Sequence, residues 1–257
     1  MTSRPSPFAQ LASGVRFDWG LSGAQAVCDH AGELVIVDVL SFTTAVTVVI
    51  GRGATVYPNR PDYGEEAFAA AHHAVCAVRR SDVSADHPWS LSPAHLLSAP
   101  APRRLVLPSP NGSTIAASVP AGDVLAGCLR NATAIGEWLT EHEYGSAERP
   151  AAVIAAGEQW PSGDLRPALE DLLGAGAIIA ALPLTHHVLS PEAAAARSAW
   201  LAHRYDINDL IHRSASGQEL IGAGYASDVT IAMDHDSQDT IPGLVDGAFR
   251  QIPADVP

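Results

Sequence analysis

The sequence of 257 residues contains no lysine, because all 15 of its basic residues are arginine. A Walker-type phosphate loop and Schiff-base or pyridoxal chemistry each require a lysine, so both are excluded. The net charge is −13, and no cluster of arginines offers the basic face that nucleic-acid binding requires. The composition therefore argues against a P-loop enzyme and against a nucleic-acid-binding protein.

Long apolar runs and cysteine are also scarce. The longest apolar stretches, residues 34–40 and 175–184, are too short to cross a bilayer. No apolar segment follows residues 1–7, as it would in a secretory signal. The three cysteines show no CxxC spacing, which is typical of reduced thiols rather than of a disulfide framework or a zinc ribbon. We therefore expect a cytoplasmic protein that does not bind membranes.

Short apolar segments alternate with helix-like segments along the chain. Residues 34–40 form a β-branched and apolar run typical of a parallel strand buried on both faces. Further strands are expected at 54–57, 75–78, 105–107, 123–126, 152–156 and 229–233, and helices at 45–50, 62–74, 114–118, 132–143, 165–182, 191–203 and 207–221. This alternation predicts an α/β fold with a mostly parallel sheet and helices on both faces. We expect a single domain over residues 1–257; the alternative is two subdomains that meet near residues 81–102.

Polar residues follow four of the predicted strands, and in open parallel sheets ligands bind beyond the carboxyl ends of the strands. These residues are Asp38 and Ser41; Ser109, Asn111 and Ser113; Cys128, Arg130 and Asn131; and Glu158. Each segment alone is more simply explained as a turn or a helix cap. The four together predict a ligand site at the ends of the strand–turn–helix units.

Asp38 is a carboxylate in an otherwise apolar strand, where burial is costly unless the group is paired or holds a metal. Hydrogen bonds to backbone amides of the next turn explain it equally well. Further along the chain, Arg166 is available to bind an anion, and Glu170 follows on the same predicted helix. The side chain of the next residue, Asp171, points about 100° away from that of Glu170 around the helix. Asp171 is expected to lie in the solvated first half of this helix.

The sequence lacks the motifs that two common phosphatase mechanisms require. Haloacid-dehalogenase-like enzymes need D-x-D after the first strand, but Asp38 is followed by Val39 and Leu40. Cysteine phosphatases need C-x5-R, and Ala134 occupies the arginine position relative to Cys128. Cys128 remains either a nucleophile near a helix N-terminus or, more simply, a small buried thiol.

The order and spacing of four short motifs resemble those of the 2-phosphosulfolactate phosphatase family. The family motif V-I-D-V-L-R-A-T-T corresponds to residues 35–44, and S-P-N-G-S/T to residues 109–113. The motif G-x-L-x-N-A corresponds to residues 127–132, and E-D-x-x-x-A-G, which follows an earlier Ala-Gly, to residues 170–176. The resemblance extends over nearly the whole chain from Leu34.

The resemblance also has one departure. Residues 216–234 are similar to the family's C-terminal signature, but Ser41 stands where the family often has an arginine. Arg130 and Arg166 are the candidates to supply the missing positive charge, with Arg130 the better placed for a two-pronged contact to an anion.

The resemblance implies a Mg²⁺-dependent phosphatase that hydrolyses 2-phosphosulfolactate to sulfolactate and phosphate, as a step towards coenzyme M. An acidic protein needs a divalent cation to bridge its carboxylates to phosphate oxygens. The implied metal ligands are Asp38, Glu170 and Asp234, and the implied catalytic residues are Asp38, Glu170 and Asn111. The substrate is expected to contact Ser41, Thr43, Thr44, Gly112, Ser113, Cys128, Arg130, Asn131 and Arg166.

Two alternative functions stay open from the sequence. One is a phosphatase of another small phospho-hydroxy acid, which the departure at Ser41 motivates. The other is a non-catalytic protein that binds an anionic metabolite. In each case the partner is a small anionic molecule, and a homo-oligomer is compatible with the sequence.

Overall fold

A nine-stranded, mostly parallel sheet forms the centre of the computed structural model, which describes residues 6–28, 31–61, 64–119, 124–183 and 188–254. The order of its strands is β1-β7-β2-β6-β10-β11-β3-β5-β4. These strands are β1 (Val15–Trp19), β2 (Glu33–Val37), β3 (Thr55–Asn59), β4 (Val75–Cys76), β5 (Arg104–Pro108), β6 (Val124–Gly127), β7 (Ala151–Ala155), β10 (Pro242–Val245) and β11 (Ala248–Gln251). A separate small hairpin consists of β8 (Glu158–Gln159) and β9 (Leu165–Arg166).

Helices pack on both faces of this sheet. In chain order they are α1 (Gly20–Cys28), α2 (Phe42–Gly51), α3 (Glu65–Ala71), α4 (Pro93–Ser98), α5 (Gly112–Ala116), α6 (Ala132–Glu141), α7 (Leu169–Ala181), α8 (Pro191–His203), α9 (Ile207–Arg213), α10 (Ala215–Gly222) and α11 (Ala226–Ala232). Short 3₁₀ turns lie at Pro7–Ala9, Arg80–Asp82 and Leu129–Asn131. None of the helices in the described ranges is long and apolar enough to cross a membrane.

Strand β2 shows why the central strands read as continuous apolar runs. Its residues alternate between two cores: Leu34 and Ile36 pack with the helices of one face, and Val35 and Val37 with those of the other. All four are buried, and each such side chain contributes about 1.5–3 kcal/mol relative to exposure. The strand is therefore fixed from both sides, and the residues that follow it are held in place.

A hairpin that the sequence analysis did not predict joins two parallel groups of strands. β10 and β11 pair with each other and with β6 and β3, and all three pairings are antiparallel. The group β3, β4 and β5 therefore runs opposite to β1, β2, β6 and β7. The turn at Asp246 and Gly247 has positive φ angles of 53° and 76°, and an Asp-Gly pair is a recognised hairpin signal.

The predicted α/β class with helices on both faces is confirmed. Three predicted elements are wrong in whole or in part, and one of them is the helix expected at 165–182, whose residues 165–166 form strand β9 and whose helical part begins at Leu169. Residues 229–233 were expected as a strand and belong to helix α11, whose buried Asp228, Val229 and Ala232 follow a helical spacing. The single helix expected at 207–221 is interrupted at Ser214, whose hydroxyl accepts the Gly217 N–H at 3.1 Å and begins α10. Strand β1 and helix α1 were not predicted.

Some predicted elements reach beyond the described residues. Residues 62–63 of the helix expected at 62–74 and residue 123 of the strand expected at 123–126 lie outside them. Within the segment 81–102, which was considered as a subdomain boundary, helix α4 packs against α2 and α11. The alternative of two subdomains stays a prediction.

Helices α7 and α8 approach closely at Gly176, where an added Cβ would lie 2.2 Å from the carbonyl oxygen of Ala196. We expect Gly176→Ala to lower the free energy of unfolding by about 1–3 kcal/mol, since one helix must shift. In α10, a Cβ on Gly222 would meet nothing within 4 Å, so Gly222→Ala should be neutral or stabilise by up to about 1 kcal/mol. Urea denaturation measures both; equal stability of the two variants would contradict this packing.

Candidate active site

A cavity of about 350 Å³ opens where the chain leaves β2, β5 and β7. Its polar lining consists of Asp38, Ser41, Arg80, Ser109, Asn111, Glu158, Ser216, Glu219 and Tyr225. Leu40, Leu91, Pro110, Leu220 and Ala223 complete the wall. Five of the residues predicted for the site thus line one cavity, which we call the Asp38 pocket: Asp38, Ser41, Ser109, Asn111 and Glu158.

Asp38 organises the turn between β2 and α2. Its Oδ1 accepts the Phe42 N–H at 3.1 Å, and its Oδ2 accepts the Gly112 N–H at 2.8 Å. The Thr43 hydroxyl accepts the Asp38 N–H and donates to the Asp38 carbonyl. Burial raises the pKa of Asp38, while these N–H groups and the nearby Arg80 oppose that rise. Asp38 is therefore bonded to the turn, as one explanation expected, and it also lines the pocket. Its role as a metal ligand stays a prediction.

The contact between Asp38 and helix α5 requires a glycine. A Cβ on Gly112 would lie 2.8 Å from the Asp38 Oδ2 and 2.7 Å from a ring carbon of Phe42. The bare backbone lets the first N–H of α5 reach the carboxylate. Because this N–H already donates to Asp38, Gly112 acts on the position of Asp38 rather than as a free donor to an anion.

Asp171 lies in the interior and not in a solvated half-helix, so that expectation is wrong. Helix α7 starts beneath the strand ends, and the Asp171 Oδ1 accepts the Val39 N–H at 2.7 Å. Its Oδ2 accepts the Gly157 N–H at 2.8 Å. Burial, followed by the charges of Asp38 and Glu170, raises the pKa of Asp171 well above its usual value. The carboxyl group joins the chain after β2 to the chain after β7.

Glu170 is the second buried carboxyl group at the start of α7. It is 1% exposed, and in the described part of the chain its Oε2 has no hydrogen-bond partner. Burial raises the pKa of Glu170, and a hydrogen bond from Ser216 and the charge of Arg166 partly oppose this. Since Ser216 lines the Asp38 pocket, Glu170 lies directly behind the pocket wall with one oxygen unused.

Glu158 forms the wall between the Asp38 pocket and a neighbouring cavity of about 240 Å³. The Asn111 side-chain amide donates to its Oε2 at 2.9 Å. Burial raises the pKa of Glu158 to about 7, and the charge of Asp38 adds to this effect. Asn111, which the sequence placed among the catalytic residues, therefore orients a carboxyl group that titrates near neutral pH.

The hydroxyl groups predicted to contact substrate are bonded to the backbone. Thr44 donates to the Val39 carbonyl at 2.8 Å, and Ser113 donates to the Asn59 carbonyl, also at 2.8 Å. The Thr43 hydroxyl is hydrogen-bonded to the backbone N–H and carbonyl of Asp38. Ser41 differs, because its hydroxyl faces the pocket and accepts a hydrogen bond from Arg80.

The structure does not bring Arg130 and Asp234 into the Asp38 pocket. The Arg130 Nη1 donates to the Ile231 carbonyl at 2.7 Å and to the Asp234 Oδ2 at 3.1 Å, and its Nε donates to Gln238 at 3.2 Å. Arg130 and Asp234 line a different cavity. Every one of these contacts is internal, which supports a structural role for Arg130 at the C-terminal end of α11.

Cys128 and Asn131 are buried between β6 and α2. The Asn131 Oδ1 accepts the Cys128 N–H at 2.8 Å, and its Nδ2 donates to the Thr240 carbonyl at 2.9 Å. Burial raises the pKa of the Cys128 thiol, which disfavours the reactive thiolate. The structure supports the simpler explanation of Cys128, a small buried thiol.

Arg166 flanks the pocket from the side of Glu170. Its Nη2 lies 3.4 Å from the Ser216 hydroxyl and 3.8 Å from a carboxylate oxygen of Glu219. The guanidinium carbon is 5.7 Å from the centre of the Trp160 ring. Arg166 is thus close to the pocket but is already shared between a carboxylate and an aromatic ring.

Sequence reasoning missed Arg80 and Asp228, which meet across 148 positions of the chain. One signal was present: Arg79 and Arg80 follow the strand predicted at 75–78, so they belonged with the other strand-end residues. Asp228 lies within the segment 216–234 that resembles the family's C-terminal signature, but the metal ligand expected from that segment is Asp234 instead.

The fold and the pocket define an α/β enzyme with a small acidic cavity bordered by arginine. The model of the 2-phosphosulpholactate phosphatase family matches residues 24–247, and the chain belongs to this family. The resemblance and the predicted class, a phosphoric monoester hydrolase, are thereby confirmed.

Named relatives agree with the family. The chain is 26% identical over 222 residues to a probable 2-phosphosulfolactate phosphatase of Pseudothermotoga lettingae, covering 85% of this chain and 92% of the relative. It is 27% identical over 228 residues to the 2-phosphosulfolactate phosphatase of Methanothermobacter thermautotrophicus, covering 86% and 91%. A probable 2-phosphosulfolactate phosphatase of Thermotoga maritima is 25% identical over 219 residues, covering 84% and 90%.

The raised pKa of Glu158 predicts a pH-dependent stability difference. Native Glu158 keeps a proton between its ordinary pKa of 4.5 and about 7, so its contribution to stability falls as the pH rises through this range. With a chelator present, Glu158→Gln should be more stable than the wild type by up to about 3 kcal/mol at high pH, and little different near pH 5. Denaturant titrations at both pH values measure this.

Glu137→Gln is the matched control, because Glu137 is an exposed carboxylate on α6. It should show no such dependence on pH. A stability difference for Glu158→Gln that is the same at both pH values would contradict the raised pKa of Glu158.

The contacts of Arg130 predict the phenotype of Arg130→Lys. Lysine keeps the charge but cannot reach Ile231, Asp234 and Gln238 together. We expect a loss of about 1–3 kcal/mol in the free energy of unfolding, with the KM for substrate unchanged. Thermal melts and steady-state kinetics measure the two effects. The loss of one charged hydrogen bond to substrate would raise KM by roughly tenfold or more. Such a rise in a fully stable variant would show that Arg130 contacts the substrate.

Proposed function

We propose that the protein hydrolyses 2-phosphosulfolactate to sulfolactate and phosphate with the help of Mg²⁺. The names of its relatives supply the substrate. The structural observation that carries the proposal is the Asp38 pocket, in which Asp38 and Glu158 converge with Arg80 on a space of about 350 Å³. That size suits a small molecule, and the mixture of carboxylates with arginine suits an anion that arrives with a cation.

The residues present fit a hard divalent cation by their chemistry. Mg²⁺ prefers oxygen donors and is commonly held by one or two carboxylates, with water and substrate phosphate as further ligands. Asp38 lines the pocket, and Glu170 behind it has an oxygen without a partner. No group of three or more acidic, histidine or cysteine side chains in the described ranges is arranged as a metal site. We therefore assign Asp38 and Glu170 as the protein ligands, and a bound Mg²⁺ would neutralise charge on the phosphate.

The placement of Asp234 argues for leaving it out of the ligand set. It pairs with Arg130 at 3.1 Å, and its side chain is 62% exposed. It lines the other cavity together with Arg130. Its inclusion in the predicted set came from the family resemblance and has no support in the contacts of the pocket.

Hydrolysis breaks the ester P–O bond, adds the oxygen of water to phosphorus and leaves a proton on the departing hydroxyl oxygen. A group on the pocket wall that exchanges a proton near neutral pH can accept a proton from the attacking water or donate one to the departing oxygen. Glu158 lies on that wall, and Asn111 fixes its Oε2. We assign proton transfer to Glu158, with Asn111 as the residue that positions it.

The two alternative functions make different predictions. A phosphatase of another phospho-hydroxy acid would release phosphate from that compound and not from 2-phosphosulfolactate. A binding protein would retain the ligand without releasing phosphate. A role on the way to coenzyme M and a cytoplasmic location remain predictions from the sequence.

A phosphate-release assay with and without Mg²⁺ tests the proposal directly. Protein treated with a chelator should release no phosphate from 2-phosphosulfolactate, and added Mg²⁺ should restore turnover. Asp38→Asn should lower turnover by roughly a hundredfold or more, because it weakens the metal site. The fold should persist, since the lost charge offsets the one backbone N–H that asparagine leaves unpaired.

Asp209→Asn, an exposed carboxylate on α9 that pairs with Arg213, serves as the control and should keep full activity. Full turnover of verified metal-free protein would contradict the role of Mg²⁺. Near-normal turnover of Asp38→Asn would remove Asp38 from the site.

A further inference from the structure

Arg80 is the only positively charged residue among the described residues that line the Asp38 pocket. The other charged residues of the lining are Asp38, Glu158 and Glu219. A phosphorylated acid that entered this space would meet three carboxylates and a single guanidinium. The position of Arg80 therefore bears directly on how the pocket accepts an anion.

A buried carboxylate holds Arg80 in place. The Asp228 Oδ2 accepts from the Arg80 Nε at 3.1 Å, and the side chain of Asp228 is wholly buried. The Asp228 Oδ1 accepts from the Ser92 hydroxyl at 2.5 Å and from the Ala94 N–H at 3.2 Å. Both oxygens of Asp228 are thus used inside the protein, and the ion pair occupies the Nε side of the guanidinium.

The opposite side of the guanidinium faces the pocket. The Arg80 Nη2 donates to the Ser41 hydroxyl, and the guanidinium carbon is 5.5 Å from the centre of the Tyr225 ring. In the described part of the chain no acceptor takes a hydrogen from Nη1. An arginine fixed by an ion pair and an aromatic face, with free N–H groups on its outer edge, is preorganised to bind oxyanions in two-pronged fashion.

We propose that Arg80 binds a tetrahedral oxyanion of the substrate beside Asp38 and Ser41. This inference rests on the proposed function, and it assigns to Arg80 the charge that the sequence analysis sought in Arg130 or Arg166. Phosphate and sulfonate share the required chemistry, a tetrahedral centre with three terminal oxygens. The substrate class is accordingly a small acid with a tetrahedral oxyanion that fits between Arg80 and the carboxylates.

The competing arginines are less free to do this. Arg166 is shared with Glu219 and Trp160, and Arg130 donates to three internal acceptors in another part of the molecule. Ser41 stands where the family motif often has arginine, and Arg80 places a guanidinium at this residue from a distant segment.

Steady-state kinetics of Arg80→Lys and Arg80→Gln test the inference, with Arg79→Gln as the control because Arg79 is the exposed neighbour. Each Arg80 variant should raise the KM for 2-phosphosulfolactate roughly tenfold or more, since charge-assisted hydrogen bonds are lost. Arg79→Gln should match the wild type. Folded Arg80 variants whose KM stays within about twofold of the wild type would overturn the inference.

A folding defect is separated from a binding defect by two further variants. Arg80→Gln leaves Asp228 buried without its cation, whereas the double variant Arg80→Gln with Asp228→Asn removes both charges. Arg80→Lys keeps a cation next to Asp228. Thermal melts identify which variants are folded, and kinetic comparisons are made on those.

Two substrates distinguish the oxyanion that Arg80 holds. With 2-phospholactate, which lacks the sulfonate, a KM that still rises in Arg80→Lys assigns Arg80 to the phosphate. An unchanged KM there, combined with weaker binding of sulfolactate, assigns it to the sulfonate. Either result supports the inference, and the absence of both effects overturns it.

Calorimetry keeps the inference distinct from the proposed function. If the wild type releases no phosphate from 2-phosphosulfolactate, the proposed function fails. Titration of inorganic phosphate and of sulfolactate into the wild type and Arg80→Lys then decides the role of Arg80. Binding that the variant loses supports an anion site at Arg80; binding that is equal in both proteins, or absent from the wild type, overturns it.

Discussion

The arrangement of the site depends on the two hydrogen bonds that the Asp171 carboxyl group accepts from the backbone. It accepts one N–H from Val39 and one from Gly157, at 2.7 and 2.8 Å. Val39 directly follows Asp38, and Gly157 directly precedes Glu158. A single buried side chain thereby fixes the spacing between Asp38 and Glu158, two of the acidic residues that line the pocket. The sheet supplies the rigid frame, because β2 and β7 pair in register over five residues.

This arrangement concentrates acidic groups where charge is costly. Asp38, Glu158, Glu170 and Asp171 all have raised pKa values, with burial as the first cause in each case. Like charges in a buried cluster cannot all ionise without compensation. A bound cation relieves this repulsion, and so would partial protonation. Under the proposed function, this cluster would lower the stability of the metal-free protein and raise its affinity for a cation and the anion that binds with it.

How much of this could be predicted from the sequence depends on whether a contact is local. The run at β2, Asp38 and the turn at Ser109–Ser113 carry their own signals: an apolar strand, a carboxylate out of place, and turn residues. The role of Asp171 carries none, because it depends on where α7 starts relative to the strand ends. The pair Arg80–Asp228 joins residues 148 positions apart, and α11 was misassigned because its β-branched residues favour strands locally. Tertiary packing decided these cases.

Arg80 and the carboxyl groups of Asp38 and Glu158 come from different parts of the fold. Asp38 and Glu158 follow central strands of the sheet, whose positions are fixed by two cores. Arg80 comes from a 3₁₀ turn and is held by Asp228 of α11 and, through it, by Ser92 at the start of α4. Under the proposed roles, the sheet positions the carboxylates and the ion pair with Asp228 positions Arg80, so separate sets of contacts hold the two signs of charge. Arg80 thereby brings a guanidinium to Ser41 from a distant segment, at the position where the family motif often has an arginine in the chain itself.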